Sequence, residues 1–146
     1  MKVSVIVTTH NTERYLLKCM DSIFNQTLSD IEIIIADDAS TDSTPQIATE
    51  LAKTHENVLF LPLSTNLGPG GARNKALQQA SGEYISFIDS DDWMDLNYLE
   101  VMYNKAQQLN ADIVTCSLMR EYDYITTSPV YKLSLIHISE PTRLRR

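Results

Sequence analysis

The sequence predicts an α/β fold built on a mostly parallel, doubly wound β-sheet. Short apolar runs rich in β-branched residues, typical of strands buried on both faces, alternate with segments whose apolar residues recur at helical spacing. Strands that alternate with helices in this way pair in parallel and are covered by helices on both faces of the sheet. In such a fold a ligand binds at the carboxyl ends of the strands.

The first strand, helix and strand follow one another closely. Residues 3–8 form a β-branched run, and Asn11 or Thr12 is expected to cap the helix that follows. The apolar face of this helix is formed by Leu16, Cys19, Met20, Ile23 and Phe24. Residues 31–36 predict a second buried strand, which ends in a pair of aspartates.

A proline marks the second helix. Pro45 occupies the first helical position after Thr44, where a missing N–H does no harm. The inner face of this helix is expected to contain Ile47, Ala48, Leu51 and Ala52. Residues 58–63 predict the third strand, and the glycine-rich turn 68–71 then opens a short third helix that extends through Ala80.

The fourth strand leads into an acidic sequence. Residues 84–88 predict this strand, and Asp-Ser-Asp-Asp follows it at once. Asp95 is expected to cap the fourth helix. The inner face of the fourth helix is expected to contain Leu96, Leu99, Met102, Tyr103, Ala106 and Leu109. Residues 111–117 predict a fifth strand, and the pattern weakens beyond it.

Five aspartates are expected at one edge of the sheet. Asp37 and Asp38 end the second strand, while Asp89, Asp91 and Asp92 end the fourth, and the carboxyl ends of parallel strands share an edge. Carboxylates repel one another unless a cation or hydrogen-bond donors offset the repulsion. Because these surroundings are rich in oxygen and poor in imidazole and thiolate, they suit Mg²⁺ or Mn²⁺ better than zinc.

Aspartate also favours turns and helix N-caps, and this role alone is expected of Asp42 and Asp95. A ligand role is favoured for Asp91, because an apolar strand that ends in Asp-Ser-Asp-Asp-Trp carries more acid than a turn requires. Trp93 is expected to pack behind these acids, with a direct role at a sugar site as the alternative. His55, near a helix end, is expected to be a solvated surface residue.

The glycine-rich turn is a second candidate ligand site. Its glycines permit close approach of the backbone, the following helix presents N–H groups to an anion, and Arg73 adds a positive charge. An ordinary strand-to-helix turn explains the segment equally well, and it lacks both the P-loop and the dinucleotide-binding patterns. His10, beside Thr8 at the end of the first strand, either lines a nucleotide pocket or is structural.

Composition narrows the class of partner. A formal net charge of -7 argues against a nucleic-acid surface, but it allows a phosphate ester when a divalent cation lies between the charges. No stretch approaches the roughly 20 apolar residues of a membrane span, and the N-terminus is interpreted as a strand, not as a signal peptide. Cys19 and Cys116 are expected to be buried free thiols, with a disulfide or a metal pair as the alternative.

Residues 133–146 are anomalous. Leu133 to Arg143 reads LSLIHISEPTR, which resembles the translation of a transposase sequencing adapter over eleven consecutive codons. We therefore expect residues 1–132 to be a truncated domain and residues 133–146 to be a non-native tail. The alternative is a natural basic tail.

Four segments of the chain stand out together: VSVIVTTHN, IIIADDASTD, NLGPGGARN and GEYISFIDSDDW. In their order and spacing they resemble family-2-type glycosyltransferases with a Rossmann-like, GT-A-type fold, and the resemblance extends from Lys2 to Ser117. It implies that the nucleotide-sugar-binding part is present and that the general base lies in a missing C-terminal part. Ala39, where family members commonly have glycine, is a mild departure that affects the local turn.

The resemblance also implies roles for single residues. Thr8 and His10 would line the nucleotide, Asp38 would accept a hydrogen bond from an N–H of the base, most often uracil, and Arg73 would lie beside the base and the phosphates. The candidate catalytic base stays unknown, because the remaining acids, Glu121 and Asp123, lie on a segment of uncertain path.

Within the same resemblance, Asp89 and Asp91 would be the two acids of the D-x-D motif. Asp91 is the first choice for the direct ligand of Mn²⁺ or Mg²⁺, and Asp89 is expected to contact the ribose or water on the metal. Asp92 would support them or approach the sugar.

The implied reaction transfers a sugar from a nucleoside-diphosphate sugar, most often a UDP-sugar, to a hydroxyl acceptor with inversion. A glycan or lipid-linked glycan acceptor, as in polysaccharide synthesis for the cell envelope, suggests a place in the cytoplasm or at the inner face of the membrane. One alternative is a non-catalytic nucleotide-sugar-binding fragment without the acceptor half. Another is a signalling receiver domain, which would need an acidic pair after the first strand and a lysine after the fifth, and both are missing.

Overall fold

The computed structural model describes residues 1–116, together with the backbone of residues 121–122, 125–126 and 134–136. The chain divides into two compact units, Met1–Glu100 and Val101–Arg146. None of the helices in the described part of the chain is long and apolar enough to span a membrane.

The first unit contains a four-stranded parallel sheet. Its strands are β1 (Val3–Thr9), β2 (Ile31–Asp37), β3 (Val58–Pro62) and β4 (Tyr84–Asp89). The strand order is β3-β2-β1-β4, and β1 pairs in parallel with both β2 and β4. The predicted parallel α/β sheet is confirmed.

Four helices alternate with the strands along the chain. They are α1 (Leu16–Phe24), α2 (Thr44–Thr54), α3 (Gly68–Leu77) and α4 (Tyr98–Leu109). The connections through α1 and α2 add strands in one direction, whereas the connection through α3 returns across β2 and β1 to place β4 on the other side of β1. Because such crossovers are right-handed, α3 lies on the opposite face from α1 and α2. The winding therefore reverses between β1 and β4, where a doubly wound sheet opens its ligand crevice.

Small residues bring α3 close to the sheet. Ala72 and Ala76 of α3 are fully buried against Ile6, Ile34 and Ala36, which lie on one face of β1 and β2. The alanine side chains leave room for the helix backbone to approach. This contact fixes the start of α3, and with it the glycine-rich turn, relative to the ends of the strands.

Helix α1 does not begin where the sequence suggested. It starts at Leu16 with Tyr15 as the N-cap residue, and no side chain caps it. The side chain of Asn11 is engaged instead with the loop after β2, where it accepts the N–H of Thr41 at 2.8 Å. Thr12 contributes its backbone carbonyl, which accepts the N–H groups of Tyr15 and Leu16. The prediction of Asn11 or Thr12 as a side-chain cap is wrong because both side chains bond elsewhere. Asn11 accepts the N–H of Thr41, and the hydroxyl of Thr12 accepts that of Ser90.

Two other helices are shorter than predicted. Helix α3 ends at Leu77 and not at Ala80, because the N–H groups of Gln78 and Gln79 bond to carbonyls three residues back and tighten the last turn. Helix α4 begins at Tyr98. Leu96, predicted on its inner face, precedes it and is 61% exposed.

The remaining apolar faces are partly as predicted. Four of the five residues predicted on the inner face of α1 are buried, and Phe24 is half-buried. On α2 only Ala48 of the predicted face is buried. His55 is half-buried and stacks on Phe24 with ring centroids 4.0 Å apart, so its prediction as a solvated residue is wrong. Cys19 and Cys116 are both free; the first is buried and the second half-buried.

The second unit contains short antiparallel pairs. Strand β5 (Ile113–Thr115), shorter than predicted, pairs with β8 (Ser134–Ile136), while β6 (Glu121–Tyr122) pairs with β7 (Ile125–Thr126). Strand β8 falls within residues 133–146, and the non-native origin of that segment stays a prediction. Asp123 lies outside the described residues.

Candidate active site

Three predicted site residues meet at the end of β4. The Oδ1 atom of Asp89 accepts a hydrogen bond from Oγ1 of Thr8 at 3.1 Å and from Nη2 of Arg73 at 2.5 Å. Thr8 lies directly opposite Asp89 in the register of β1 and β4, and Arg73 reaches the pair from α3. The strand ends and the helix after the glycine-rich turn are therefore joined through one carboxylate.

Two more predicted residues meet at the end of β2. Asp38 is only 4% exposed, and its Oδ1 atom accepts the N–H of Leu67 at 2.6 Å. Its backbone carbonyl lies 2.8 Å from Nδ1 of His10. Because a carbonyl oxygen only accepts, His10 carries its proton on Nδ1 and presents Nε2 as an acceptor. Asp38 thus ties the glycine-rich turn and the end of β1 to β2.

The neighbouring aspartate has a different role. Asp37 is buried, and its carboxylate accepts hydrogen bonds from Oγ1 of Thr9 at 2.8 Å and from the N–H of Ser40 at 3.1 Å. The hydroxyl of Ser40 also donates to it. Asp37 therefore builds the turn after β2, and its carboxylate is occupied by Thr9 and Ser40.

The last residue of β4 and the six residues that follow it form the acidic loop, residues 89–95. Within it the N–H of Asp92 bonds to the carbonyl of Asp89 at 2.9 Å, and the side chains of Asp91 and Asp92 are exposed. Partial burial raises the pKa of the Asp92 carboxyl, and the negative charges of Asp91 and Asp89 raise it further. The charges of Asp91 and Asp89 both act on the carboxyl of Asp92, so a cation beside Asp92 would relieve that repulsion.

The carboxylates of the acidic loop suit a magnesium or manganese ion that also takes ligands from outside the protein. They do not form a site in which protein side chains alone surround the ion. Among residues 1–116, no three His, Cys, Asp or Glu side chains gather into a metal-binding group of their own. In nucleotide sites, Mg²⁺ uses one or two carboxylates and takes its other ligands from phosphate and water. Within the same described range the carboxylate of Asp91 has no hydrogen-bond partner, so Asp91 can fill that role.

The glycine-rich turn is tighter than the sequence suggested. Gly68 has a φ of 72°, a left-handed conformation that favours glycine, and its N–H bonds to Oδ1 of Asn66 at 3.0 Å. A Cβ atom on Gly71 would lie 2.5 Å from the Cβ of Leu67. Since the N–H of Gly68 is already bonded to Asn66 and Pro69 has none, the first turn of α3 offers fewer free donors to an anion than a helix N-terminus usually does.

Asn11 is a site residue that the sequence interpretation missed. With a φ of 53° it turns the chain after β1. Its Oδ1 atom accepts the N–H of Thr41 at 2.8 Å, and its own N–H donates to Oγ of Ser40 at 2.8 Å. Asparagine tolerates the left-handed region better than most residues, which was the available signal. Asn11 holds the loops after β1 and β2 together.

Trp93 lies at the surface beside α1. It is 44% exposed, and Nζ of Lys18 lies 3.2 Å from the centroid of its ring, in a cation–π contact. The prediction that Trp93 packs behind the acidic loop is therefore wrong. Behind the loop lies the buried Cys19 of α1, whose Sγ is 3.8 Å from the carbonyl of Asp89.

Comparison with known protein families identifies the family of this chain. A model described as "Glycosyl transferase family 2" matches residues 4–145. The chain belongs to this family. Among curated family 2 relatives, it is 42% identical over 112 residues to "Glycosyltransferase GlyA" of Streptococcus pneumoniae serotype 4, a match that covers 77% of the chain and 16% of that protein.

Two solved structures resemble this family 2 chain. The crystal structure of S. aureus TarS 1-349 in complex with UDP-GlcNAc superposes with a TM-score of 0.77 at 34% identity, covering 88% of this chain and 37% of the TarS 1-349 chain. The mannosyltransferase PcManGT from Pyrobaculum calidifontis, in complex with GDP-Man and Mn²⁺, gives a TM-score of 0.70 at 26% identity, covering 82% of the chain and 36% of that protein. The predicted GT-A-type fold is confirmed, and the chain spans well under half of each of these proteins.

Proposed function

We propose that this chain binds a nucleoside-diphosphate sugar together with a divalent cation, as the donor-binding part of an inverting glycosyltransferase. The observation that carries the proposal is the pairing of Thr8 with Asp89 across β1 and β4, which places the acidic loop at the point where the sheet reverses its winding. A doubly wound sheet binds nucleotides at that point.

The nucleotide would lie over the ends of β1 and β2. One oxygen of Asp38 already accepts the N–H of Leu67, and the other is left to accept an N–H of the base. Uracil offers such an N–H, and the solved TarS structure contains UDP-GlcNAc. His10, fixed by its bond to the Asp38 carbonyl, would present its ring to the same nucleotide. These contacts support a UDP-sugar as the donor.

The diphosphate would lie near the acidic loop. Asp91 would hold Mn²⁺ or Mg²⁺, with Asp89 on the ribose or on metal-bound water and Asp92 beside the sugar. When bound, the ion acts as a Lewis acid for the departing diphosphate. Arg73 would keep its positive charge beside the phosphates while it orients Asp89. The solved PcManGT structure, which contains GDP-Man and Mn²⁺, supports a divalent ion at such a site.

The acceptor would be a hydroxyl group of a glycan or a lipid-linked glycan. TarS is named a poly(ribitol-phosphate) beta-N-acetylglucosaminyltransferase, a name that specifies a hydroxyl-bearing polymer. A general base would deprotonate the acceptor for attack opposite the leaving group, which gives inversion. No residue of the described part of the chain is assigned this role. The chain alone would therefore bind the donor weakly and transfer the sugar slowly or not at all, as a nucleotide-sugar-binding fragment would.

Calorimetry with UDP, in the presence and absence of Mn²⁺, tests the proposal. The parent chain should bind UDP more tightly with Mn²⁺ than without it, and Asp91→Ala should reduce the affinity to the metal-free value. Asp95→Ala, which removes another exposed acid of the same loop, is the matched control and should retain the metal effect. A metal effect that survives in Asp91→Ala would show that Asp91 is not the ligand. No UDP binding by the full-length gene product would defeat the nucleotide site.

A further inference from the structure

Gln26 lies just beyond the end of α1 and joins three segments through one amide group. It is 9% exposed. Its Nε2 atom donates to the carbonyl of Asp95 at 2.7 Å and to that of Ser22 at 2.9 Å. Its Oε1 atom accepts the N–H of Leu99, in the first turn of α4, at 2.9 Å. Both amide hydrogens and the carbonyl oxygen are therefore engaged.

Two residues within α1 hold the middle of the acidic loop. The hydroxyl of Ser22 accepts the N–H of Met94 at 3.2 Å and donates to the carbonyl of Cys19 at 2.6 Å. Lys18 covers the ring of Trp93. The loop therefore lies along α1 from its middle to its end, and its last residue is held by Gln26.

We propose that Gln26 is a positioning residue for the metal-binding carboxylate of Asp91. This inference rests on the proposed function. The side chain of Asp91 is exposed, and no hydrogen bond to residues 1–116 holds it in one orientation, so the backbone of the acidic loop sets the region that its oxygens can reach. Pairing with β1 fixes the loop at Asp89, and Gln26 fixes it at Asp95. Substituting a residue that orients a metal ligand without contacting the metal typically changes the metal affinity by about 10–100-fold.

Gln26→Met tests this role, because methionine keeps the length of the side chain and removes all three hydrogen bonds. Gln79→Met makes the same chemical change at an exposed position just beyond the end of α3 and is the matched control. Trp93 is the only tryptophan of the chain, so its fluorescence reports on the acidic loop. Three quantities are measured for each variant: acrylamide quenching of Trp93, the affinity for UDP without metal, and the Mn²⁺ concentration that half-saturates binding at fixed UDP.

In Gln26→Met, quenching should increase and the Mn²⁺ requirement should rise about tenfold. The affinity for UDP without metal should stay unchanged, which a general loss of structure would not allow. Gln79→Met should match the parent chain in all three measurements. Ser22→Ala removes the bond to Met94 and the bond to the Cys19 carbonyl within α1 but leaves Gln26 in place, so it should raise the Mn²⁺ requirement in the same direction by a smaller factor. It also provides the test should Gln26→Met fail to fold.

The two failures are distinguishable. An unchanged Mn²⁺ requirement in folded Gln26→Met, or in Ser22→Ala should that variant stand in for it, overturns the positioning role while leaving the proposed function intact. Unchanged quenching of Trp93 overturns it as well, whether or not the nucleotide binds. Absence of any Mn²⁺ effect on UDP binding in the parent chain defeats the proposed function, and the positioning role with it.

Discussion

Arg73 and Asp89 form an ion pair, with 2.5 Å between Nη2 and Oδ1, at the junction of α3 and β4. The side chains are 36% and 50% exposed, so a ligand can approach both. The same carboxylate oxygen accepts the hydroxyl of Thr8. Asp89 is therefore held by neighbours on two sides, and its orientation is set before any ligand arrives, whereas Asp91 two residues later has no such partners within residues 1–116.

The first prediction concerns Arg73. Arg73→Met should weaken UDP binding in the presence of Mn²⁺ by about ten- to a hundredfold, because a charge-assisted contact to phosphate contributes roughly 1.5–3 kcal/mol. The free energy of unfolding should change by less than about 1 kcal/mol, because partly exposed ion pairs contribute little to stability. Calorimetry and urea unfolding measure the two effects. Lys75→Met, on the same helix, should change neither, and an equal loss of UDP affinity there would contradict a specific role for Arg73.

The second prediction concerns Glu32, which lies on β2 away from the candidate site. Its Oε1 atom accepts hydrogen bonds from Oγ of Ser4 and from the N–H groups of Ser81 and Gly82. Burial acts to raise the pKa of Glu32, but these hydrogen bonds outweigh it and lower the pKa below its ordinary value of 4.5. Glu32→Gln should therefore reduce the free energy of unfolding at neutral pH, by about 1–3 kcal/mol.

The sign of the pH dependence follows from that lowered pKa. A carboxyl group whose pKa is lowered by folding stabilises the folded state fully above its unfolded pKa, and this stabilisation is lost as the pH falls through the folded pKa. The difference in stability between the parent chain and Glu32→Gln should thus shrink as the pH falls below about 4.5. Urea unfolding at several pH values measures it. A difference that stays constant with pH would show that the carboxylate charge is not responsible.

The strands and the edge that carries the site could be predicted from sequence because they depend on local patterns. A β-branched run specifies a buried strand, and parallel pairing brings the ends of β1, β2 and β4 together. Asp37 and Asp38 show the limit of prediction from local patterns. They are identical neighbours, yet one builds a turn with Ser40 and the other receives the N–H of Leu67, because successive residues point to opposite sides.

Partners from distant parts of the chain set the details that the sequence did not predict. Asn11 resembles a helix cap until the loop at Thr41 takes its side chain. Gln26 resembles an ordinary polar residue at a helix end, and only the folded chain brings Asp95 and Leu99 to it. Such contacts join residues far apart in sequence, and no local periodicity reports them.

The third prediction concerns the reactivity of Cys19. Burial, followed by the charges of Asp92, Asp91 and Asp89, raises the pKa of its thiol to about 12. Because the thiolate is the reactive form, iodoacetamide should label Cys19 very slowly at pH 8 in the folded chain and at a normal rate in urea. Cys116 is half-buried and serves as the internal comparison. Mass spectrometry of the labelled peptides measures both rates, and fast labelling of folded Cys19 would contradict this account of its surroundings.

The fourth prediction concerns Ala39, which has a φ of 57° in the turn after Asp38. An L-residue with a side chain is disfavoured in this region by roughly 1–2 kcal/mol, whereas glycine is not. Ala39→Gly should therefore stabilise the fold, by roughly 0.5–1 kcal/mol once the greater freedom of glycine in the unfolded chain is subtracted. Ala48→Gly, in the buried interior of α2, is the matched control and should destabilise it by about 1 kcal/mol or more. Thermal unfolding measures both. If Ala39→Gly lowered stability as Ala48→Gly does, the left-handed turn that orients Asp38 would not form as described.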